Sequence, residues 1–264
     1  MEKIRTIVSK EWAEVFKNRL VLFTVAFLPL ILTAIPLITL GFARGADEDI
    51  AELVESGQSE PFFAELCRGL SELECAQAYT LNIFTLMFMI LPVAIPVSIA
   101  AYSVVGEKTS RSLEPLLATP ITTVELLLGK MVAAVVPAVA VTWGAFGIFV
   151  VGVWLMTDAV MVSRVLQLHW LIAVFVVGPL LSLLSVSAAL IVSSRVSDPR
   201  VAEQLSALVI LPLVLLLVGQ STGLILIDRR IVIVMALIVA LLDVALVYLS
   251  VRLFQRETIL TRWK

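Results

Sequence analysis

The chain has 264 residues, of which 60% are hydrophobic and 15% are charged, and its mean hydropathy is +1.06. Soluble domains average about 45–50% apolar and about 25% charged residues, so this composition excludes an ordinary soluble protein and indicates a protein that crosses a membrane several times. The net charge of −2 by itself says nothing about nucleic acid, and we expect no nucleic-acid partner.

Residues 1–19 predict an amphipathic helix that lies on the membrane surface before the first span. Its apolar residues recur at helical spacing, with lysine, arginine and glutamate mostly between them: Ile4, Ile7, Val8, Trp12, Val15 and Phe16. The alternative is a solvated leader of the first span in which this spacing is incidental.

Long apolar runs predict six transmembrane helices, because each run reaches the roughly 20 residues that a helix needs to cross the hydrocarbon core. Barrel strands would alternate apolar and polar residues, and these runs do not, so the predicted fold is all-α. The expected spans are about 20–42, 81–105, 129–155, 168–193, 205–227 and 231–254. Together they form a single transmembrane domain that covers residues 1–264.

The distribution of lysine and arginine predicts the orientation of the chain. Fourteen of these residues lie in the N-terminal tail, the 106–130 segment, the 194–204 loop and the C-terminal end, against five on the opposite side. By the positive-inside rule, both termini and the 106–130 segment are cytoplasmic.

The pair Arg229-Arg230 goes against this rule. The polar stretch Gly219–Gly223 suggests that the fifth span ends early, and a short external turn or re-entrant piece would resolve both features.

Residues 43–80 form the one long segment that we expect outside the cell, with nine acidic residues against two basic ones. Both cysteines of the chain, Cys67 and Cys75, lie in this segment. An oxidising exterior would allow a disulfide between them, and two free thiols remain the alternative.

The charged segment between the second and third spans predicts a structured loop. Leu113, Leu116 and Leu117 share one side of a short helix, and Thr119-Pro120 then breaks the chain. Residues 122–125 fit a capping box that restarts a helix into the third span. Leucines displayed on a cytoplasmic loop require a partner surface, which is either the lipid interface or another protein.

This segment resembles the signature of ATP-binding-cassette (ABC) exporter permeases of the second class. The residues assigned to it are Glu107, Lys108, Arg111, Leu113, Glu114, Leu116, Leu117, Pro120, Glu125, Gly129 and Lys130. The resemblance implies a six-span subunit in the cell membrane with both termini cytoplasmic. It also implies a coupling helix in the loop after the second span, which docks on a separate ATPase.

The same resemblance implies export of a substrate, two ATPase copies, and pairing with a second permease as a homodimer or heterodimer. ATP and Mg²⁺ would be bound by the ATPase and no cofactor by this chain. The residues agree with that division, because the chain has no phosphate-loop motif: Val124 stands where the first glycine of that motif would precede Gly129-Lys130, and Met131 follows.

Few residues suggest other chemistry. Two cysteines and one histidine exclude the usual zinc and haem signatures, and His169 beside Trp170 is typical of an interfacial anchor. Asp243 is the one acid placed deep inside a span, where it either hydrogen-bonds a neighbouring helix or lines a substrate path. An intramembrane enzyme is disfavoured because paired carboxylates and serine–base pairs are not visible in the sequence, whereas a membrane scaffold or immunity protein remains an alternative.

Overall fold

The computed structural model describes residues 2–15, 17, 19–43, 66–109, 121–222, 224–225 and 227–253. Within these residues every regular element is helical, and six helical stretches are long and apolar enough to cross a membrane, which confirms the all-α prediction with six spans. The α-helices are α1 Glu2–Val15, α2 Arg19–Ala43, α3 Glu72–Met87, α4 Leu91–Thr109, α5 Thr123–Met156, α6 Ala159–Val165, α7 Leu168–Ile172, α8 Gly178–Arg195, α9 Pro199–Ser206, α10 Leu211–Ser221 and α11 Arg229–Leu253.

Short 3₁₀ or π-helical segments join several of these α-helices into continuous spans. A 3₁₀ turn at Phe88–Ile90 joins α3 to α4 as span 2, and another at Ala207–Ile210 joins α9 to α10 as span 5. A π-helical turn at Ala173–Val177 joins α7 to α8 as span 4, immediately before Gly178-Pro179. Helix α2 is span 1, α5 is span 3 and α11 is span 6.

Span 2 begins at Glu72, well before the expected start at residue 81. Its first turn is fixed by a capping box in which Ser71 Oγ accepts a hydrogen bond from the Glu74 backbone N–H and Glu74 accepts from the Ser71 backbone N–H. The polar side chains of this first turn lower the hydropathy without interrupting the helix. The segment expected outside the membrane therefore ends in ordered helix.

A disulfide links the two cysteines at the start of span 2. Cys67 and Cys75 form a disulfide, with a Cα–Cα distance of 4.9 Å. The bridge ties the turn before span 2 to the first turn of α3, where Cys75 is buried.

Span 5 runs from Pro199 to Ser221 rather than over 205–227. Asp198 accepts a hydrogen bond from the Arg200 backbone N–H and so caps the helix, with Pro199 in the first turn. After Ser221 the chain folds back, and the Ile225 backbone N–H donates to the Gly219 carbonyl at 3.0 Å. The polar stretch therefore ends the fifth span early.

Span 2 lies at the centre of the bundle. In its most apolar window 72% of residues are buried, compared with 17% in spans 5 and 6. It packs against spans 1, 3 and 4, and span 4 packs in turn against span 6. Phe88 and Phe149 form the aromatic part of the core, with ring centroids 5.0 Å apart between spans 2 and 3.

Spans 2 and 3 are longer than a membrane requires. They contain 36 and 34 residues, which correspond to about 54 and about 51 Å of helix, whereas the hydrocarbon core is about 30 Å thick. Each span is therefore about 20 Å longer than the apolar layer, and charged residues such as Glu107, Lys108 and Glu125 lie at the ends near residues 108 and 123. Helix α1 packs along these two ends.

Candidate functional site

A buried network of charges joins the end of span 2, the start of span 3 and helix α1. Lys130 Nζ lies 2.7 Å from a Glu11 carboxylate oxygen and 2.8 Å from a Glu107 carboxylate oxygen. It also donates a hydrogen bond to Ser103 Oγ at 2.7 Å. The side chains of Lys130, Glu11 and Glu107 are each 3% exposed, so all three charges are removed from solvent and depend on one another.

Lys10 completes the charge balance of this network. Its Nζ lies 2.6 Å from the second carboxylate oxygen of Glu107 and 3.7 Å from Glu14. Burial alone would lower the pKa of the Lys10 ammonium, but the neighbouring carboxylates, chiefly Glu107, outweigh burial and hold that pKa above its usual value. Two lysines thus face two buried glutamates, and the four side chains form what we call the Lys130 network.

Close backbone packing places α1 against span 3. A Cβ atom added at Gly129 would lie 2.6 Å from Cγ2 and 2.9 Å from Cβ of Ile7, so only glycine admits the helix at this distance. One turn further along, Trp12 Nε1 donates to the Ala133 carbonyl at 2.9 Å. Because Gly129 has no side chain, α1 lies close enough to span 3 for Glu11 to reach Lys130.

Lys108 extends the same junction to span 4. Its Nζ donates to the carbonyls of Ser194 and Val196, at 3.4 and 3.3 Å, where α8 ends. A lysine in this position satisfies carbonyls that the helix terminus leaves without partners and complements the helix dipole. Ser98, further back on span 2, donates to the Glu203 carboxylate in α9. The end of span 2 therefore contacts α1, span 3, span 4 and the start of span 5.

Glu125 has a local structural role. It forms the predicted capping box at the start of α5, where Thr122 Oγ1 accepts from the Glu125 backbone N–H at 3.2 Å and Glu125 accepts from the Thr122 backbone N–H at 2.8 Å. Lys3 lies 3.8 Å from its carboxylate.

Six of the residues that the sequence assigned to ATPase coupling lie outside the described residues: Arg111, Leu113, Glu114, Leu116, Leu117 and Pro120. The coupling helix therefore stays a prediction. The structure does show that the helices on either side of this segment are joined by an ion pair between Glu107 and Lys130.

The sequence reasoning missed Lys10, Glu11 and Ser103. Glu11 carried a usable signal, because it lies four residues from Ile7 and four from Val15, on the buried stripe of α1. A charge on the apolar side of a helix predicts a buried partner of opposite charge. Ser103 has no comparable signal, since a serine within an apolar span is ordinary.

Asp243 and His169 lie apart from the Lys130 network. Asp243 is 4% exposed in span 6, and neither carboxylate oxygen has a hydrogen-bond partner among the described residues. His169 lies beside Trp170 at the start of span 4, with ring centroids 5.1 Å apart and the ring planes tilted by 46°. Within the described part of the chain, no group of three or more histidine, cysteine or acidic side chains is placed to hold a metal ion.

Comparison with known proteins agrees with this architecture. No curated protein matches the chain. A family model described as ABC-2 family transporter protein matches residues 5–227, which extends from α1 to the turn before span 6 and includes the whole Lys130 network. The chain belongs to the ABC-2 family of transporter proteins and is a membrane permease of an ABC transporter.

Proposed function

We propose that this permease exports its substrate from the cytoplasm, and that a separate ATPase docks on the segment 107–130 and drives the movement. The observation that carries the proposal is the Lys130 network. It binds the two ends of that segment to each other and to α1, in the part of the bundle that extends beyond the apolar layer.

The network favours coupling because it converts a local force into movement of several helices. A partner that displaces residues 110–120 pulls on Glu107 and, through span 3, on Lys130. Lys108 connects the same point to the end of span 4. Buried ion pairs with short distances resist separation, so spans 2, 3 and 4 would tilt together with α1 rather than slide past one another.

Membership of the ABC-2 family supports the remaining parts of the proposal. The chain would pair with a second permease, identical or different, and two ATPase copies would bind ATP and Mg²⁺ on the cytoplasmic side. Spans 5 and 6 expose many apolar side chains in the single chain, which leaves surface for lipid and for that second permease. The protein would lie in the cell membrane with both termini in the cytoplasm.

The test replaces Leu116 and Leu117 together with aspartate. We expect the variant to fold but to lose the ATPase, because two charges on the leucine face disrupt an apolar contact. The tagged permease is purified from its native cells, a phosphate-loop ATPase is identified by mass spectrometry, and ATP hydrolysis in the eluate is measured.

The matched control is Leu166→Asp. Leu166 is an exposed leucine in the turn between spans 3 and 4, at the opposite end of the bundle. It should leave both the ATPase band and ATP hydrolysis at the wild-type level. If the Leu116→Asp/Leu117→Asp variant retains both, the segment is not the docking site.

A further inference from the structure

A cavity with basic walls opens at the end of the bundle opposite the Lys130 network. Its volume is about 620 Å³, and its lining comes from the start of span 2, the turn between spans 3 and 4, and the turn between spans 5 and 6. We call this site the basic cavity. Its polar side chains include Asn82, Arg164, Gln167, His169, Arg229 and Arg230.

Among the described residues, one acid faces three arginines in this cavity. Asp228 is the one acidic residue in the lining, and its Oδ1 already accepts the Ile231 backbone N–H at 2.8 Å as the cap of span 6. Among the described residues, none of the three arginines lies within ion-pair distance of a carboxylate. Three guanidinium groups around one opening repel one another, and a bound anion would relieve that repulsion.

The topology gives no other reason for these arginines. Lysine and arginine are depleted on the outer side of membrane proteins, and Arg229-Arg230 goes against that tendency. The structure brings this exceptional pair to the same cavity as Arg164, although 64 residues of chain separate Arg164 from Arg229. Three arginines on the side where such residues are depleted therefore line one cavity.

The neutral groups of the cavity suit the same kind of ligand. Asn82 accepts a hydrogen bond from Gln220 Nε2 through its Oδ1, which leaves the amide NH₂ of Asn82 as a donor. Arginine guanidinium groups bind phosphate oxygens through two parallel N–H donors, which makes them the preferred partners for such oxyanions. Leu66, Ile227 and Ile231 add apolar wall beside the charges.

We propose that the basic cavity binds a phosphate-type oxyanion at the outer membrane interface. Ile231 of the apolar wall lies near the start of span 6, and apolar side chains further along this span, such as Val234 and Leu237, are exposed. A phosphate headgroup would occupy the arginines while its acyl chains lie against span 6. Free phosphate offers the same oxyanion, so the test distinguishes the two sources. The site depends neither on ATPase docking nor on the direction of transport.

The experiment measures binding by the purified full chain through its thermal unfolding midpoint. Phosphatidylglycerol, phosphatidylcholine and inorganic phosphate are titrated separately in detergent. We expect phosphatidylglycerol to raise the midpoint in a saturable manner and phosphatidylcholine to leave it unchanged. If inorganic phosphate alone gives the same saturable shift, the oxyanion site stands and its ligand is the free anion.

The variant Arg164→Gln/Arg229→Gln should bind the active probe at least about tenfold more weakly, because each lost charge-assisted hydrogen bond is worth more than a factor of ten in affinity. The control Arg195→Gln removes an exposed arginine at the other end of the bundle and should bind as the wild type does. The double variant must elute as the wild type does on size exclusion, and Arg164→Lys/Arg229→Lys should recover part of the affinity.

Two results would overturn the proposal. One is equal affinity of the wild type and the Arg164→Gln/Arg229→Gln variant. The other is the absence of a saturable shift of the wild-type midpoint with any of the three probes. If Asp47→Asn/Glu48→Gln/Asp49→Asn then binds, the acidic segment of the chain itself neutralises the arginines.

Discussion

The single residue on which most contacts of the candidate site depend is Lys130. Its ammonium contacts Glu11, Glu107 and Ser103, which come from α1 and from span 2. The sequence motif Gly129-Lys130 thereby gains a physical explanation. Glycine lets the N-terminal helix approach, and Lys130 pairs with both buried carboxylates, whose charge it balances together with Lys10.

Replacement of Lys130 by methionine is therefore expected to destabilise the fold strongly. Methionine preserves most of the side-chain length but leaves Glu11 and Glu107 buried without this cation, and loss of one partner from a buried ion pair costs about 3–5 kcal/mol. The measurement is the thermal unfolding midpoint of the purified chain. Adding Glu11→Gln to Lys130→Met should restore part of the loss, because it removes the charge that is left without a cation while Glu107 keeps its ion pair with Lys10.

Lys3→Met serves as the control for that comparison. Lys3 lies 3.8 Å from Glu125, and its side chain is 50% exposed, so solvent screens the pair. We expect little change in its midpoint. A Lys130→Met variant as stable as Lys3→Met would contradict the assignment of Lys130 as the centre of the network.

At the scale of elements, the packing of α1 adds what its apolar spacing did not predict. The amphipathic helix is present as predicted, and its buried stripe of Ile7, Glu11 and Val15 faces the protein. Periodicity identifies the apolar face of a helix but not what covers it. Packing against span 3 was decided by Gly129, more than a hundred residues away, and by the pairing of Glu11 with Lys130.

Gly129→Ala tests this packing directly. The added methyl group would overlap Ile7, so α1 must move away from span 3, and overpacking of this kind typically costs about 1–3 kcal/mol. The thermal midpoint should fall accordingly. Gly144 lies in the same helix, and a Cβ there would meet no atom within 4 Å, so Gly144→Ala should leave the midpoint unchanged or raise it slightly. Equal midpoints for the two variants would show that α1 is not held at this contact.

At the scale of the whole molecule, the sequence predicted the number of spans and the family but not the arrangement of the helices. Runs of about 20 apolar residues determine how many helices cross the membrane, because lipid requires every backbone group to be satisfied within the helix. Boundaries were less accurate where polar residues continue a helix, as at Glu72 and Glu74, or where a cap precedes the apolar run, as at Asp198. The central position of span 2 and the meeting of Arg164 with Arg229 depend on tertiary packing, which local patterns do not encode.

Two independent observations predict the orientation of the molecule in the membrane. The lysine and arginine count predicts a cytoplasmic position for the Lys130 network. The Cys67–Cys75 disulfide lies at the other end of span 2 and is stable only in an oxidising compartment.

Since Cys67 and Cys75 are the only cysteines of the chain, a maleimide of high mass should label denatured protein after reduction and not before it.

The orientation itself is tested in the Cys67→Ser/Cys75→Ser background with one new cysteine at a time. Leu166→Cys lies in the exposed turn between spans 3 and 4, and Arg195→Cys lies at the exposed end of span 4. A membrane-impermeant maleimide applied to intact cells should label Leu166→Cys but reach Arg195→Cys only after permeabilisation. The reverse pattern would place the Lys130 network outside the cell, beyond the reach of any cytoplasmic ATPase, and would refute the coupling mechanism together with the orientation.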